Sequence, residues 1–169
     1  MTDIREIPLC GNRGVAVVDA EDYDRLSQYY WYMVDNGWQY ARRKEVGPDG
    51  TWHDVRMHHD VLSVEPGCLI DHINGNGLDN RRSNLRPCTH AENSRNSRKH
   101  RSLTSQYKGV SWSVSHNRWQ VFIRSGGSNQ HLGNFKSEID AALAYNKAAM
   151  ALHGEFACLN EITEVSNAD

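Results

Sequence analysis

The sequence predicts an α+β protein. An N-terminal β-rich region runs into a hairpin-and-helix core, and a three-stranded antiparallel sheet packed on one helix follows. Three observations predict this. Short aromatic-rich runs are punctuated by turn signals such as Asn36-Gly37 and Gly47-Pro48-Asp49-Gly50, the pattern of antiparallel strands. Between Leu69 and Lys99, two Asn-Gly pairs (Asn74-Gly75 and Asn76-Gly77) precede a returning run and a helix start. From Tyr107 onward, three more strand-like runs lead into a helix rich in alanine.

Residues 1–57 are the β-rich region. Residues 14–18 read as a buried strand, and Asp19, with Asp22 at the third position, can cap a short helix to about Ser27. Residues 29–34 and 38–43 read as strands around Asn36-Gly37, and a further strand runs through Val55. Aromatic side chains in such strands are core residues first. Arg42, Arg43 and Lys44 form a basic cluster that either touches a phosphate or is a solvated face. Residues 57–62 read as an extended lead-in. Two adjacent histidines cannot both face one way on a strand, so at most one of His58 and His59 points inward. A packing or hydrogen-bonding role ranks first for it, a phosphate contact second and metal ligation last.

The stretch 69–99 holds the densest chemistry. Asp71-His72 ends the apolar run Cys68-Leu69-Ile70, residues 84–87 read as the returning strand, and Thr89 to Glu92 fits a capping box. Asn93 falls in the first turns of that helix, so Asp71, His72, Asn84 and Asn93 are expected to converge on one small space.

Charge distribution adds to this. The formal net charge is −2 over 169 residues, which argues against a wholly basic nucleic-acid binder. Yet residues 81–124 hold ten Lys/Arg against a single acid, Glu92, whereas residues 1–80 hold seven against fourteen. A basic middle in an acidic chain is an electrostatic footprint for a phosphate backbone. The four cysteines make no C-x-x-C pair, and no apolar run approaches a membrane span. The expectation is a cytoplasmic protein with reduced thiols, no structural zinc, no membrane and no small-molecule cofactor.

The motifs DHINGN, DNRRSNLR and THAENSRN resemble, in spelling and spacing, the HNH or ββα-metal nucleases of phages and introns, which act in homing or nicking. The resemblance implies that Asp71 and Asn93 are metal ligands and His72 is the general base. It makes Asn84 the central Asn that braces the loop and the orientation of that base. It also implies 5′-phosphate and 3′-hydroxyl products. The chemistry is coherent: a histidine titrating near neutrality can take a proton from water, and Mg²⁺ (or Mn²⁺) accepts oxygen ligands while keeping several waters. The N-terminal region, with IPL at its start and YARR before the turn, resembles what precedes the motif in phage relatives. His90, beside the capping box, reads as structural or phosphate-contacting.

Arg95, Arg98, Lys99 and Arg101 continue into a Ser/Thr-rich linker, where contacts would supply affinity without sequence information. Beyond it, strands are expected at 107–112, 118–124 and 130–135, turns at His116-Asn117 and 126–129, and a helix from Ser137 to Gly154. YKGVSW, RWQVFIR, HLGNF, AALAYNKAA and GEFACLN resemble, in order, the Apetala or ethylene-response-factor DNA-binding domain. That resemblance implies a free sheet face entering the major groove. Carried over by position, it makes Lys108, Ser111, Ser113, Arg118, Gln120, Arg124 and His131 DNA contacts. Ser111 and Ser113 stand where that family usually has arginines, so the resemblance implies its docking mode and not its GC-rich specificity. Pleat alternation independently turns Trp119, Val121 and Ile123 toward the helix and Arg118, Gln120, Phe122 and Arg124 outward.

The expected organisation is a β-rich region at 1–57, a nuclease core at 58–99, a basic linker at 100–105, a DNA reader at 106–160 and a tail at 161–169. The expected function is a metal-dependent endonuclease on double-stranded DNA, acting as a monomer that nicks or a homodimer that cuts both strands. Its rivals are a non-enzymatic DNA-binding regulator and a nuclease on RNA or structured DNA.

Overall fold

Ile7, Ala16 and Val18 alternate with less buried positions on two short runs, and antiparallel pairing carries all three into one core. In the computed structural model, which describes residues 3–35, 39–65, 67–98 and 104–162, these runs are β1 (Ile4–Pro8) and β2 (Val15–Asp19). The chain divides into two units, Met1–Asn93 and Ser94–Asp169.

In the first unit, helix α1 (Ala20–Leu26) follows β2 directly. Asp19 stands at its N-cap position but makes no side-chain cap, contrary to the capping expected from sequence. Its carboxylate instead accepts the backbone N–H of Arg82 at 2.8 Å, 63 residues away. Asp22 is buried, and its oxygens accept from the Arg82 guanidinium at 2.8 and 2.9 Å and from Arg25 at 2.7 Å. Burial alone would raise this carboxyl; the bonds and charges of Arg82 and Arg25 outweigh it and hold the group below its usual range.

Strands β3 (Tyr32–Asp35), β4 (Gln39–Val46) and β5 (Trp52–Arg56) form a sheet in that order. Tyr29 and Tyr30 were expected in the first of these and lie outside it. Trp31 is fully buried and its Nε1 donates to the Leu26 carbonyl at 2.8 Å, so the chain is pinned to the end of α1 before the strand begins. Asn36, Gly37 and Trp38 fall outside the described residues, although Asp35 pairs with Gln39 across them.

Residues 57–62, read as extended, are helical: α2 spans Met57–Val61. Met57 and Val61 are both buried, and their i,i+4 spacing puts them on one face of a single turn. The nuclease-like hairpin is β6 (Leu69–His72) and β7 (Leu85–Cys88), followed by α3 (His90–Asn96). Asn84, expected on the returning strand, ends a 3₁₀ turn (Arg82–Asn84) just before it. One core runs through the whole unit, joining Ile7, Leu9, Ala16, Val18, Leu26 and Trp31 to Met57, Val61, Ile70 and Leu85. The edge of β2 also grips the hairpin loop: Val17 N donates to Leu78 O at 2.8 Å, and Asn80 N to Val17 O at 2.7 Å. The β-rich segment is therefore structurally one body with the hairpin.

The second unit holds β8 (Val110–Ser113), β9 (Arg118–Ser125), β10 (Ser128–Phe135) and α4 (Glu138–His153), with sheet order β10-β9-β8. Tyr107, Val110, Val121 and Ile123 pack on Ala141, Ala142, Tyr145 and Ala149 of α4. Three of those four helix residues are alanine, so the helix lies close to the sheet. Gly109 marks how close: a Cβ there would stand 2.1 Å from the Tyr145 ring, and its φ of +76° also disfavours any side chain. That kink starts β8 at 110, three residues later than expected. The turn before β10 is also tighter than expected. Ser128 pairs with Ser125, so Gly126-Gly127 alone makes the reversal, both with positive φ. Ser137 caps α4 as expected, its Oγ accepting from Asp140 N at 3.3 Å. No helix among the described residues is long and apolar enough to cross a membrane.

Candidate active site

Strand β6 carries Asp71 and His72 at its end, and the pleat sends neighbouring side chains to opposite faces. Asp71 lies directly across from Arg86 of β7, and both side chains are largely enclosed, at 6% and 11% exposed. Arg86 donates to Asp71 Oδ2 through its Nε at 3.0 Å and an Nη at 2.7 Å. This pair gives the buried carboxylate an opposite charge and two hydrogen bonds, which a buried Asp needs.

His72 is buried at 5% exposure among aromatic rings. The His58 ring meets it edge-on (centroids 4.9 Å apart, 89° between planes), and Tyr40 packs obliquely at 5.8 Å. Its Nε2 lies 3.4 Å from Asn80 Oδ1, a long hydrogen bond. Asn80 is itself 1% exposed, and its amide nitrogen donates to Leu78 O, which keeps its oxygen toward the imidazole. Burial pushes the His72 pKa below the ordinary value; the Asn80 bond and the charges of Asp71 and Asp79 oppose this without cancelling it. The ring is therefore neutral at pH 7, the form that accepts a proton. His58 is driven much further, to about 2, by burial and then by the charges of His72, His59, Arg56 and Arg42.

Asn84 closes the loop between the strands. Its Oδ1 accepts from Asn74 N at 3.0 Å, and its Nδ2 donates to Asn74 Oδ1 and to Asp79 O at 3.0 and 2.8 Å. Its carbonyl takes Ile73 N at 2.8 Å. Asp79 is fixed in turn by Arg81, at 2.7 and 2.6 Å, and by Asn74. Gly77 lets this loop approach β4, since a Cβ there would meet the Gln39 carbonyl at 2.2 Å and the Tyr40 ring. The loop is thus a closed net of side-chain bonds, and His72 sits at its root.

The capping box forms as expected: Glu92 accepts from Thr89 N at 2.8 Å, and Glu92 N reaches Thr89 Oγ1 at 3.3 Å. This sets the start of α3 and hence the direction of Asn93. That residue lines a cavity of about 200 Å³ with Leu69 and Ile70 of the strand bearing Asp71, and with Tyr40 and His58, the rings packed on His72. Of the four expected site residues only Asn93 lines this cavity; His72 lies behind the His58 and Tyr40 rings, and the Asp71 carboxylate is engaged by Arg86.

A model of the family described as HNH endonuclease matches residues 63–95, which include Asp71, His72, Asn84 and Asn93. Over 158 residues the chain is 30% identical to an uncharacterized HNH endonuclease of Acanthamoeba polyphaga mimivirus, covering 90% of this chain and 78% of that protein. The chain belongs to the HNH endonuclease family. This HNH endonuclease, a phosphodiester hydrolase, is also 36% identical over 96 residues to Protein 3.8 of Escherichia phage T7, covering 56% of this chain and 77% of that protein. No solved structure matches it.

Three residues around the site escape the sequence reading, Tyr40, Asn80 and Arg86, whereas His58 is the inward histidine of its pair and takes the packing role ranked first for it. Asn80 and Arg86 lie inside the motif DNRRSNLR, so the signal was present and only their roles were missed. Tyr40 comes from β4, and no local spacing announces it.

In the second unit, the register gathers six of the seven carried-over residues on the sheet. Ser111 pairs with Gln120, Ser113 with Arg118, and His131 with Phe122, while Arg124 pairs with Asn129. Alternation on β9 is as expected, with Val121 and Ile123 buried and Phe122 and Arg124 exposed. Lys108 stands apart: its ammonium donates to the carbonyls of Arg95 and Ser97 at 2.6 and 2.5 Å. Arg95 is half-buried and Arg98 exposed, whereas Lys99 and Arg101 lie outside the described residues.

Proposed function

We propose that this HNH endonuclease hydrolyses one strand of double-stranded DNA to 5′-phosphate and 3′-hydroxyl ends. His72 is the general base, and Asp71 and Asn93 are the protein ligands of a divalent ion, Mg²⁺ or Mn²⁺. The observation that carries the reading is the buried His72 imidazole, set by Asn80 at the root of the Asn84 net and packed on His58, which lines the same cavity as Asn93.

The donor set fits such an ion. A carboxylate and an amide oxygen are hard ligands, and Mg²⁺ completes its shell with water and phosphate oxygens. Among the described residues, no three His, Cys, Asp or Glu side chains gather to hold a metal. The four cysteines are free, and burial pushes the Cys88 thiol up to about 11, far from a thiolate ligand. When bound, the ion supplies positive charge at the phosphoryl and leaving 3′ oxygens.

The protein's own residues do the rest. With Nε2 donating to Asn80, the lone pair of His72 sits on Nδ1, which takes the proton of the attacking water. Arg86 orients the Asp71 carboxylate. Asn84 prevents the loop from drifting away from the imidazole. One motif per chain acts on one strand, so a monomer nicks and a duplex break needs a second copy. Supercoiled plasmid with Mg²⁺ should yield open circles, and chelator should abolish the reaction. Cleavage of RNA in place of plasmid would reject the substrate assignment.

The second unit is read as an Apetala/ethylene-response-factor-like module whose sheet enters the major groove through Ser111, Ser113, Arg118, Gln120, Arg124 and His131. Its support is the face on which the register collects them. Arg118→Ala with Arg124→Ala should weaken duplex binding and flatten the slope of log affinity against log salt by about 2, at about 0.9 per phosphate released. An unchanged isotherm would reject the sheet-in-groove mode.

A further inference from the structure

The cavity beside Asn93 holds an electrostatic conflict. Arg42 and Arg56 stand directly across from one another on β4 and β5, and like charges in that position destabilise a sheet. Neither guanidinium makes an ion pair among the described residues. Their neighbours differ: Arg43 pairs with Glu45 and Asp60 and lies over the Tyr29 ring, and Lys44 pairs with Asp54 at 3.2 Å. The basic cluster 42–44 thus separates into two cations with partners and one without.

Two buried polar atoms at this cavity also lack partners. Arg42 Nε and His58 Nδ1 are shielded from solvent and make no hydrogen bond, and His58 as a whole is 3% exposed. Both residues line the cavity, with Arg56, His59, Tyr40 and Asn93, and none of its lining residues carries a carboxylate. At about 200 Å³ the space exceeds the roughly 30 Å³ of one water several-fold, enough for a tetrahedral phosphate. Two facing guanidiniums, one with a buried unpartnered Nε–H and neither in an ion pair among the described residues, suit a phosphate as their anion.

We propose that Arg42 and Arg56, with His58 at the floor, form a subsite for a backbone phosphate of the bound strand, next to the phosphate being hydrolysed. The proposal rests on the DNA-hydrolysis reading above. It explains why a β-rich segment without chemistry of its own is fused to the hairpin: β4 and β5 carry the subsite that sets the strand's register against His72.

Two measurements on the full chain test it. Inorganic phosphate, titrated without nucleic acid, should saturably shift the ring resonances of His58 and His59 and the side-chain amide of Asn93; Arg42→Gln with Arg56→Gln should abolish the shifts. In duplex binding without divalent ion, the double variant should flatten the salt slope by about 1 to 2, and the exposed single variant Arg56→Gln should change it in the same direction. Lys44→Gln removes a cation that already has a partner and should leave the slope unchanged. Equal loss in Lys44→Gln would reduce the feature to a general basic face and overturn the subsite. Phosphate-sensitive resonances with an unchanged duplex slope would assign the cavity to a free anion and overturn the backbone assignment. A protein that cleaves no DNA, yet loses phosphate binding in the double variant, would reject the nuclease substrate and leave the anion site standing.

Discussion

Replacing His72 with alanine should slow plasmid nicking by about 10²- to 10⁴-fold, the usual contribution of a positioned general base. Duplex affinity without divalent ion should stay near wild type, because the ring is buried among Tyr40, His58 and Asn80 and not on a DNA-contacting face. Loss of a buried ring also leaves a cavity, so thermal melting must accompany the rate measurement. His72→Gln fills more of that space and offers no comparable base, so it should melt closer to wild type and remain as slow. A His72→Ala protein that nicks as fast as the parent in Mg²⁺ would remove His72 from the chemistry.

Asp71→Asn should be as damaging for rate and worse for stability. The neutral amide is a poorer ligand, and metal charge stabilisation is worth several kcal/mol, which corresponds to a fall of about 10³-fold or more in rate. The same change leaves Arg86 buried without its counter-charge. Because both partners are at least about nine-tenths enclosed, the penalty should approach the roughly 3–5 kcal/mol of a broken buried pair. Adding Arg86→Met separates the two losses. The double variant should recover most of the melting temperature, since an apolar pair of similar size replaces the ionic one, and should recover no activity. Wild-type nicking by Asp71→Asn/Arg86→Met would show that the carboxylate serves the fold alone.

The pattern of success and failure in the sequence reading follows the range of the interactions. Thr89 with Glu92, and Ser137 with Asp140, close hydrogen bonds within three residues, so their chemistry is visible in a short window and both caps form. The turn signals at 47–50 and 116–117 behave likewise, and alternation along β9 needs no partner to be read. Errors arose where a distant group intervened. Asp19 resembles a helix cap in isolation, but Arg82 N reaches its carboxylate first. Residues 57–62 read as an extended lead-in, whereas burial of Met57 and Val61 on one face makes a helical turn.

What the sequence by itself determined is the hairpin, the capped helix, the order Asp71, His72, Asn84, Asn93, and the alternation of the second sheet, because local bonds and a two-residue pleat specify them. Only the tertiary structure decided that His58 and Tyr40 enclose His72, that Arg86 neutralises Asp71, and that Arg42 faces Arg56. Those relations depend on strand register and on which surfaces one shared core brings together, and such contacts between distant segments leave no trace in residue spacing.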